Sequence, residues 1–519
     1  MKKKAPIAIL AAAQFVMVLD SSVMNVSITQ IVKDLHTTVQ GVQLAITMYT
    51  LVMAAFMLLG AKLGDIWGRN QAFAIGLAVY GTGSLITAIS PNLTVLLIGW
   101  SGIEGLGAIL VVPAIAALIA ANYEGKERAL AYAMIGATAA IAVAAGPLIG
   151  GWVTTTYTWR YVFVGEVVVV IGVLALRRLI APAPRAERRP QLDGVGAALS
   201  ALGLGMFVLG VLQTSAWALS MCLYFILGGV AVLAGFGAWE RGRRRKGLDQ
   251  LLDVTMLRID QLRAGLTTLL GQQLVLMGTF FVIPVYLQIV LGYDAFETGK
   301  RLLPLSIAML IAAVLGPKVA ARRSPKAVAQ VGLGAICVGA VVMSATVDVQ
   351  LNEPAFKLAL IFLGAGAGLL ASQLGNVIMS SVDPSKTSEA GGLQGTFQNL
   401  GASLGTALIG AVLLSALAAG FNSNVADDPS LPASVKQQVA AVTQEGVDVA
   451  PVPQVEQAAL DAGLPPDQAA AVADHYGAAE LQGLRLALIA VAVAAIGSLW
   501  FTRKLPRILP GAPEASSTP

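Results

Sequence analysis

Three carboxylates lie where carboxylates are expensive. Asp20, Glu104 and Glu166 each fall well inside an apolar run long enough to cross a membrane. A charge at mid-bilayer costs at least about 2.5–3.5 kcal/mol on insertion scales, so such side chains are expected to face a bundle interior or a wet cavity. Burial disfavours the ionised form, and a like charge nearby disfavours it further. The three acids are therefore candidates for taking up and releasing protons near neutral pH. No Lys or Arg lies at comparable depth. The alternative is that one or two stay protonated and only hydrogen-bond between helices. That alternative weighs most for Glu166, which lies nearer the outer end of its run.

Other chemistry finds no footing. The two cysteines, Cys222 and Cys337, sit in apolar segments, and the two histidines, His36 and His475, lie far apart. Neither a disulfide framework nor a metal-ligand set is suggested. No GxxxxGK[ST] phosphate loop and no nucleophile–base set is present, so neither an ATPase nor a membrane enzyme is indicated. The expected cofactor, metal and nucleic-acid partner is in each case none.

The acids must be held by helices in lipid. The chain has 519 residues, 56% hydrophobic and 12% charged, with a mean hydropathy of +0.75. A soluble domain carries about 25% charged residues. Abundant glycine suits closely packed membrane helices, and the alternating strands of a membrane barrel are absent. The fold class is an all-α polytopic membrane protein. Apolar runs fall at 6–31, 41–61, 71–89, 93–121, 130–152, 160–180, 193–213, 218–239, 264–291, 300–320, 327–346, 356–381, 390–419 and 481–502. That makes fourteen spans. The first follows Met1-Lys2-Lys3-Lys4 and resembles a signal peptide, but Asp20 interrupts it and no convincing cleavage site follows.

An even count puts both termini on one side. If that side is the cytoplasm, it holds 27 of the 34 Lys and Arg residues, including Arg177, Arg178, Arg185, Arg188, Arg189 and the run Arg241 to Lys246. Lys33, Arg160, Lys300, Arg301, Lys357, Lys436 and Arg485 remain outside. The positive-inside rule accounts for that split, and moving one central span would scramble it. The outer loop 421–480 holds nine acids against the single Lys436. Within it Ser434–Thr443 and Pro466–Tyr476 read as short helices, the second opened by Pro465-Pro466. The loop is expected to be a solvated cap, with a substrate gate or docking element as the alternative. The tail after Pro506 reads as disordered.

The second and tenth spans align without gaps where each enters its cytoplasmic loop: Gly60-Ala61-Lys62-Leu63-Gly64-Asp65 faces Gly316-Pro317-Lys318-Val319-Ala320-Ala321. Pro147-Leu148-Ile149-Gly150-Gly151 likewise faces Ala407-Leu408-Ile409-Gly410-Ala411. Spans 1–6 and 9–14 thus form two related halves with two helices inserted between them. The expected division is 1–190, 191–260 and 261–519. Two halves rocking about a central site is a recognised plan for alternating access.

Four motifs carry a family resemblance. Gly60-Ala61-Lys62-Leu63-Gly64-Asp65-Ile66-Trp67-Gly68-Arg69 resembles the loop signature of the major facilitator superfamily, between its second and third helices. Leu19 to Val26 looks like the first-helix signature of the fourteen-span drug:proton antiporters. Gly146-Pro147-Leu148-Ile149-Gly150-Gly151 is similar to the antiporter signature of the fifth helix. Trp159-Arg160-Tyr161-Val162-Phe163 matches the opening of the sixth. The resemblance covers essentially the whole chain. It implies a major facilitator fold, two six-helix halves plus two inserted helices. It also implies a loop latch at Gly60, Gly64, Asp65, Gly68 and Arg69, and an antiporter motif at Gly146, Pro147, Gly150 and Gly151. Three positions depart from the family pattern: Ser101 stands for an Arg, Glu104 for a Gln and Glu166 for an Asn.

Together these readings predict proton-coupled export of amphipathic or cationic small molecules, with Asp20, Glu104 and Glu166 as the proton-coupling residues. The loss of the Arg leaves the cavity more negative, which favours a cationic substrate. Asn25, Trp100, Ser101, Gln272, Gln273, Gln373, Asn376, Gln394 and Gln398 are assigned to the substrate cavity, where amides offer hydrogen bonds without charge. Trp100 and Tyr286 could present aromatic faces to a cation or simply pack. Small-molecule substrate, protons and the lipid bilayer are the expected partners of a monomer in a bacterial inner membrane. Rival readings are export or flipping of a lipid or envelope precursor, proton-coupled uptake, and a non-transporting sensor.

Overall fold

The computed structural model describes residues 5–506 apart from 124, 182–190, 216, 321, 384–385 and 446. The tail after Pro506 and the basic residues Arg185, Arg188 and Arg189 lie outside the described residues. In chain order the helices are α1 (Ala5–Val26), α2 (Ile28–Asp34), α3 (Val39–Trp67), α4 (Arg69–Ala88), α5 (Leu93–Leu96), α6 (Gly105–Asn122), α7 (Gly125–Thr156), α8 (Arg160–Leu176), α9 (Gly194–Leu212) and α10 (Leu219–Arg245). They continue with α11 (Asp260–Val285), α12 (Ala295–Ala320), α13 (Pro325–Thr346), α14 (Glu353–Ser380), α15 (Thr387–Asp427), α16 (Ala433–Glu445), α17 (Val452–Asp461) and α18 (Pro466–Phe501). Wider π turns lie at Leu97–Glu104, between α5 and α6, and at Tyr286–Val290, after α11.

Apolar length makes these helices and polar punctuation bounds them. Thr38, Asn92, Asp193, Ser324 and Asn352 each accept a backbone N–H three residues on, which satisfies a donor the first turn leaves free. Thirteen described segments are long and apolar enough to cross a membrane. The fourteenth expected span is α8, whose 17 residues reach about 25 Å and run on into a tight turn at Arg177–Leu179. The run 6–31 is not one rod: it breaks at Ser27, whose hydroxyl meets that of Thr154 at 2.8 Å.

In the first bundle α1 packs on α7 and α8, α3 on α6, and α4 on α6 and α8. In the second, α12 and α13 pack on α14, and α11 lies against α15 and α18. The bundles meet along two seams, α3 with α15 and α7 with α12. Helices α9 and α10 pair outside them, α9 seated on α3 and α15 through Leu204 and Val208 against Leu51 and Ala55. The most apolar window of α10 is 17% buried and that of α11 78%, which puts α10 on the lipid-facing rim and α11 at the centre.

One end of the bundle carries the cap. Here the structure corrects the sequence reading: Pro466–Tyr476 is not a separate short helix but the first turns of the 36-residue α18. Pro465-Pro466 does open a helix, yet no breaker follows before Phe501. At the other flank α15 continues unbroken to Asp427. The irregular part of the 421–480 loop therefore shrinks to 428–465, built on α16 and α17. It is not simply solvated. Leu431, Val435 and Val449 are buried, and Asp448 reaches the first bundle by accepting the Gln40 N–H at 3.4 Å.

Candidate functional site

Asp20 on α1, Glu104 at the end of the π turn and Glu166 on α8 converge. Each offers a carboxylate oxygen, and the three oxygens lie within 4.8 Å of one another. All three are buried. The indole N–H of Trp100 donates to both Asp20 oxygens, at 2.8 and 3.0 Å. The Trp100 ring stacks on Tyr49, 4.7 Å between centroids and 3° from parallel. On the other flank Ser84 donates to Glu166 Oε2 at 3.0 Å and Tyr80 at 3.3 Å. Both Glu104 oxygens and Glu166 Oε1 are buried without a hydrogen-bond partner among the described residues. None of the three acids forms an ion pair with a described Lys or Arg.

Local backbone explains the convergence. The π turn widens the helix over Leu97–Glu104, the kind of insertion found at functional sites. Trp100 and Glu104, four residues apart, share one face of it and both reach the bundle interior. Glycine brings the neighbouring helix close: a Cβ on Gly83 would strike the Glu104 backbone. Helix α4 thereby brings Tyr80 and Ser84 up to Glu166. Glu166 lies nearer the end of its apolar run, yet α8 packs against α4 and sets it beside the other two.

The motif residues position these helices. In the loop after α3, Gly68 has φ 93°, a conformation costly for other residues. Arg69 pairs with Asp65 and donates to Ala61 O at 3.2 Å. A side chain at Gly60 would meet the Ile109 carbonyl of α6, and one at Gly64 the Arg69 guanidinium. On α7, Gly146 and Gly150 abut Ser22 and Val23 of α1. Gly151 abuts the Ala295 carbonyl, and the Pro147 carbonyl lies against Gly299, both on α12 across the seam. Trp159 and Arg160 donate to Asp34 at 3.0 and 3.1 Å, and Arg160 also to Ser90 O at 2.7 Å.

Three of the seven amides assigned to the cavity, and Ser101 with them, are spent on hydrogen bonds within the protein. Asn25 donates to Ser21 O, Ser101 to Ala45 O across to α3, Gln272 to Ala367 O on α14, and Gln373 to Ser372 Oγ. Gln273 lies beside Gly401, and Gln394 Oε1 is buried without a partner. Asn376 and Gln398 are exposed. Tyr286 presents no free face: it is buried, and its hydroxyl donates to Asp348 O and accepts the Asp348 N–H.

Sequence reasoning missed two buried acids. Glu480 on α18 is fully buried with both oxygens unpartnered, so the second bundle also holds a carboxylate, near the cap end. Only its place at the edge of an apolar run, between Ala479 and Leu481, hinted at this. Glu240 on α10 is buried beside Asp193 and accepts the Leu251 N–H at 3.3 Å. In the cap, burial pushes the Asp448 carboxyl up, against the hydrogen bonds from Gln40 and Thr38. The bond from His475 holds Asp428 down at about 2.

At the cap end a chain of bonds ties the bundles together. Thr29 donates to Gln288 Oε1 at 2.8 Å, and Gln288 Nε2 to Val26 O at 2.9 Å. Gln43 donates to Thr406 O, and Ser403 to Thr47 O.

Residues 10–406 match the family profile described as "Major Facilitator Superfamily". The "Tetracenomycin C resistance and export protein" of Streptomyces glaucescens is 28% identical over 96% of this chain and 91% of its own length. The "Cephamycin export protein CmcT" of Amycolatopsis lactamdurans is 29% identical over 80% and 85%. Among solved structures, an inward-facing bacterial homologue of the human lysosomal transporter Spinster superposes with a TM-score of 0.64, at 14% identity, over 97% of this chain and 98% of that one.

Proposed function

The chain belongs to the Major Facilitator Superfamily, and from that premise we propose a proton-coupled antiporter that exports amphipathic or cationic small molecules by alternating access. It works as a monomer in a bacterial inner membrane, with both termini in the cytoplasm and the cap outside. Its relatives' names speak for export of drug-like compounds. The observation that carries the proton coupling is the meeting of Asp20, Glu104 and Glu166 within 4.8 Å.

Two unit charges at that separation repel by about 3.5 kcal/mol at an effective dielectric of about 20. Three ionised carboxylates with no cation beside them would carry three such terms, so the cluster holds protons. Protonation from outside neutralises it and lets a cationic substrate go. Loss of protons to the cytoplasm restores a negative site that attracts the next one. Trp100 keeps Asp20 oriented by donating to whichever oxygen carries charge. Ser84 and Tyr80 do the same for Glu166.

The test is efflux of a fluorescent lipophilic cation from cells making wild type, Asp20→Asn or Glu104→Gln, with and without a protonophore. Gradient-dependent efflux that fails in the variants supports the reading. Efflux unchanged in both variants, at equal expression, sinks it.

A further inference from the structure

A chamber of about 560 Å³ lies at the cap end, walled by both bundles and by the cap. We infer that it is a second, exit-side binding site taking the hydroxyl-rich part of a substrate, a glycosyl group above all. The inference rests on the exporter reading and deepens it.

The volume falls within the range of small-molecule sites, about 300–1,000 Å³, and apolar atoms form the larger part of its exposed lining with polar groups set among them. Twelve of the twenty lining residues are polar. The floor is closed towards the membrane by the bonds from Thr29 to Gln288 and between Ser27 and Thr154. The roof is the strap after α16, pinned where Asp448 accepts the Gln40 N–H. Thr37, Thr155, Asp294 and Asp448 bring acceptors, Lys33 brings donors, and Gln454 brings both. Thr155 Oγ1 already accepts the Phe296 N–H, which leaves its own proton to donate.

Hydroxyls, amides and both signs of charge set among apolar surface match a sugar ring, whose hydroxyls each donate and accept and whose C–H faces are apolar. An occupant without hydroxyls would strip the polar groups of water and leave them unmatched, a cost of about 1–3 kcal/mol for each buried group. Such walls therefore discriminate strongly in favour of ligands that carry the matching hydroxyls. The chamber lies beyond the carboxylate cluster on the way out, with one seal below it and one above. The protonated cluster would release the body of a substrate while the chamber holds its sugar.

The probes are the neutral fluorescent glycoside 4-methylumbelliferyl glucoside, whose sugar carries four hydroxyls and no charge, and its sugar-free aglycone 4-methylumbelliferone, titrated onto the purified full chain in nanodiscs with empty nanodiscs subtracted. Wild type should bind the glycoside at least about fivefold more tightly than the aglycone, by fluorescence anisotropy. The double variant Thr155→Val, Gln454→Leu should lose that preference and keep the aglycone affinity. No preference in wild type, or one that survives in the double variant, overturns the proposal. Gln454→Leu alone, at an exposed position of α17, serves if the pair does not fold and should lose about half the preference on a logarithmic scale. Proton-driven efflux of the lipophilic cation is measured on the same proteins. Its failure in wild type would sink the exporter reading, while the binding data would still decide the chamber.

Discussion

The two bundles share a plan and differ in what they keep inside. The first gathers Asp20, Glu104 and Glu166 around one point, with Trp100, Tyr80 and Ser84 aimed at them. The second offers amides: Gln272 is spent on the α14 backbone and Gln373 on a neighbouring serine. Its buried acid, Glu480, stands near the cap end on α18, with no partner for either oxygen. Charge that can change is concentrated in one half and neutral hydrogen bonding in the other. A rocking pair needs only one half to sense protons, provided the other follows through the seams.

The sharpest break of that asymmetry is Glu104→Gln, expected to lower gradient-driven efflux by at least about tenfold, more than about 1.4 kcal/mol at the barrier. If Gln272→Glu restored efflux in that background, the location of the charge would not matter and the comparison would fail. Trp100→Phe keeps the stack on Tyr49 but removes the donor to Asp20, an interaction worth about 1.5–3 kcal/mol with a charged acceptor. The pH midpoint of efflux should move, whereas a purely structural tryptophan would change only protein yield.

The seams come next in size. Gly151→Val would drive a side chain into the Ala295 carbonyl, an overpacking cost of about 1–3 kcal/mol visible as a lower melting temperature. Gly136, which has nothing within 4 Å of its would-be Cβ, should accept alanine without that loss. On the neutral side, Gln272→Leu should change stability by at most about 1.5 kcal/mol and leave the pH profile of efflux in place.

The smallest expected effect lies in the cap. Asp448 has its pKa pushed up from an ordinary 3.8 by burial, so docking favours the protonated acid. That contribution is complete below 3.8 and is lost as pH rises through the raised value. Amide exchange at Val447 to Ala450 should quicken over that window, and Asp448→Asn should flatten the dependence.

Much of this was legible beforehand, for particular reasons. Helix number followed from apolar length, because lipid leaves a spanning chain few other options. The three acids stood out because charge inside an apolar run is rare. Their meeting was less legible. It depends on which helices lie opposite one another, and on Gly83 letting α4 approach. Glu166 looked peripheral because position along a helix says little about which neighbour lies opposite. The cap was misread at Pro466, since proline marks where a helix starts and is silent about where it stops.

The unbroken length of α15 and α18 has a mechanical consequence. With 41 and 36 residues they are about 60 and 54 Å long, roughly twice the thickness of the hydrocarbon layer. Each is a lever with its fulcrum in the bilayer and its long arm in the cap. A rock of about 10° displaces a point about 30 Å from the fulcrum by about 5 Å, while side chains near the fulcrum barely slide. Five ångströms is far more stretch than a hydrogen bond such as that from Gln40 to Asp448 tolerates. On the proposed rocking, a tilt too small to unpack the membrane seams is large enough to unlatch the roof, and the cap would amplify what the carboxylates begin.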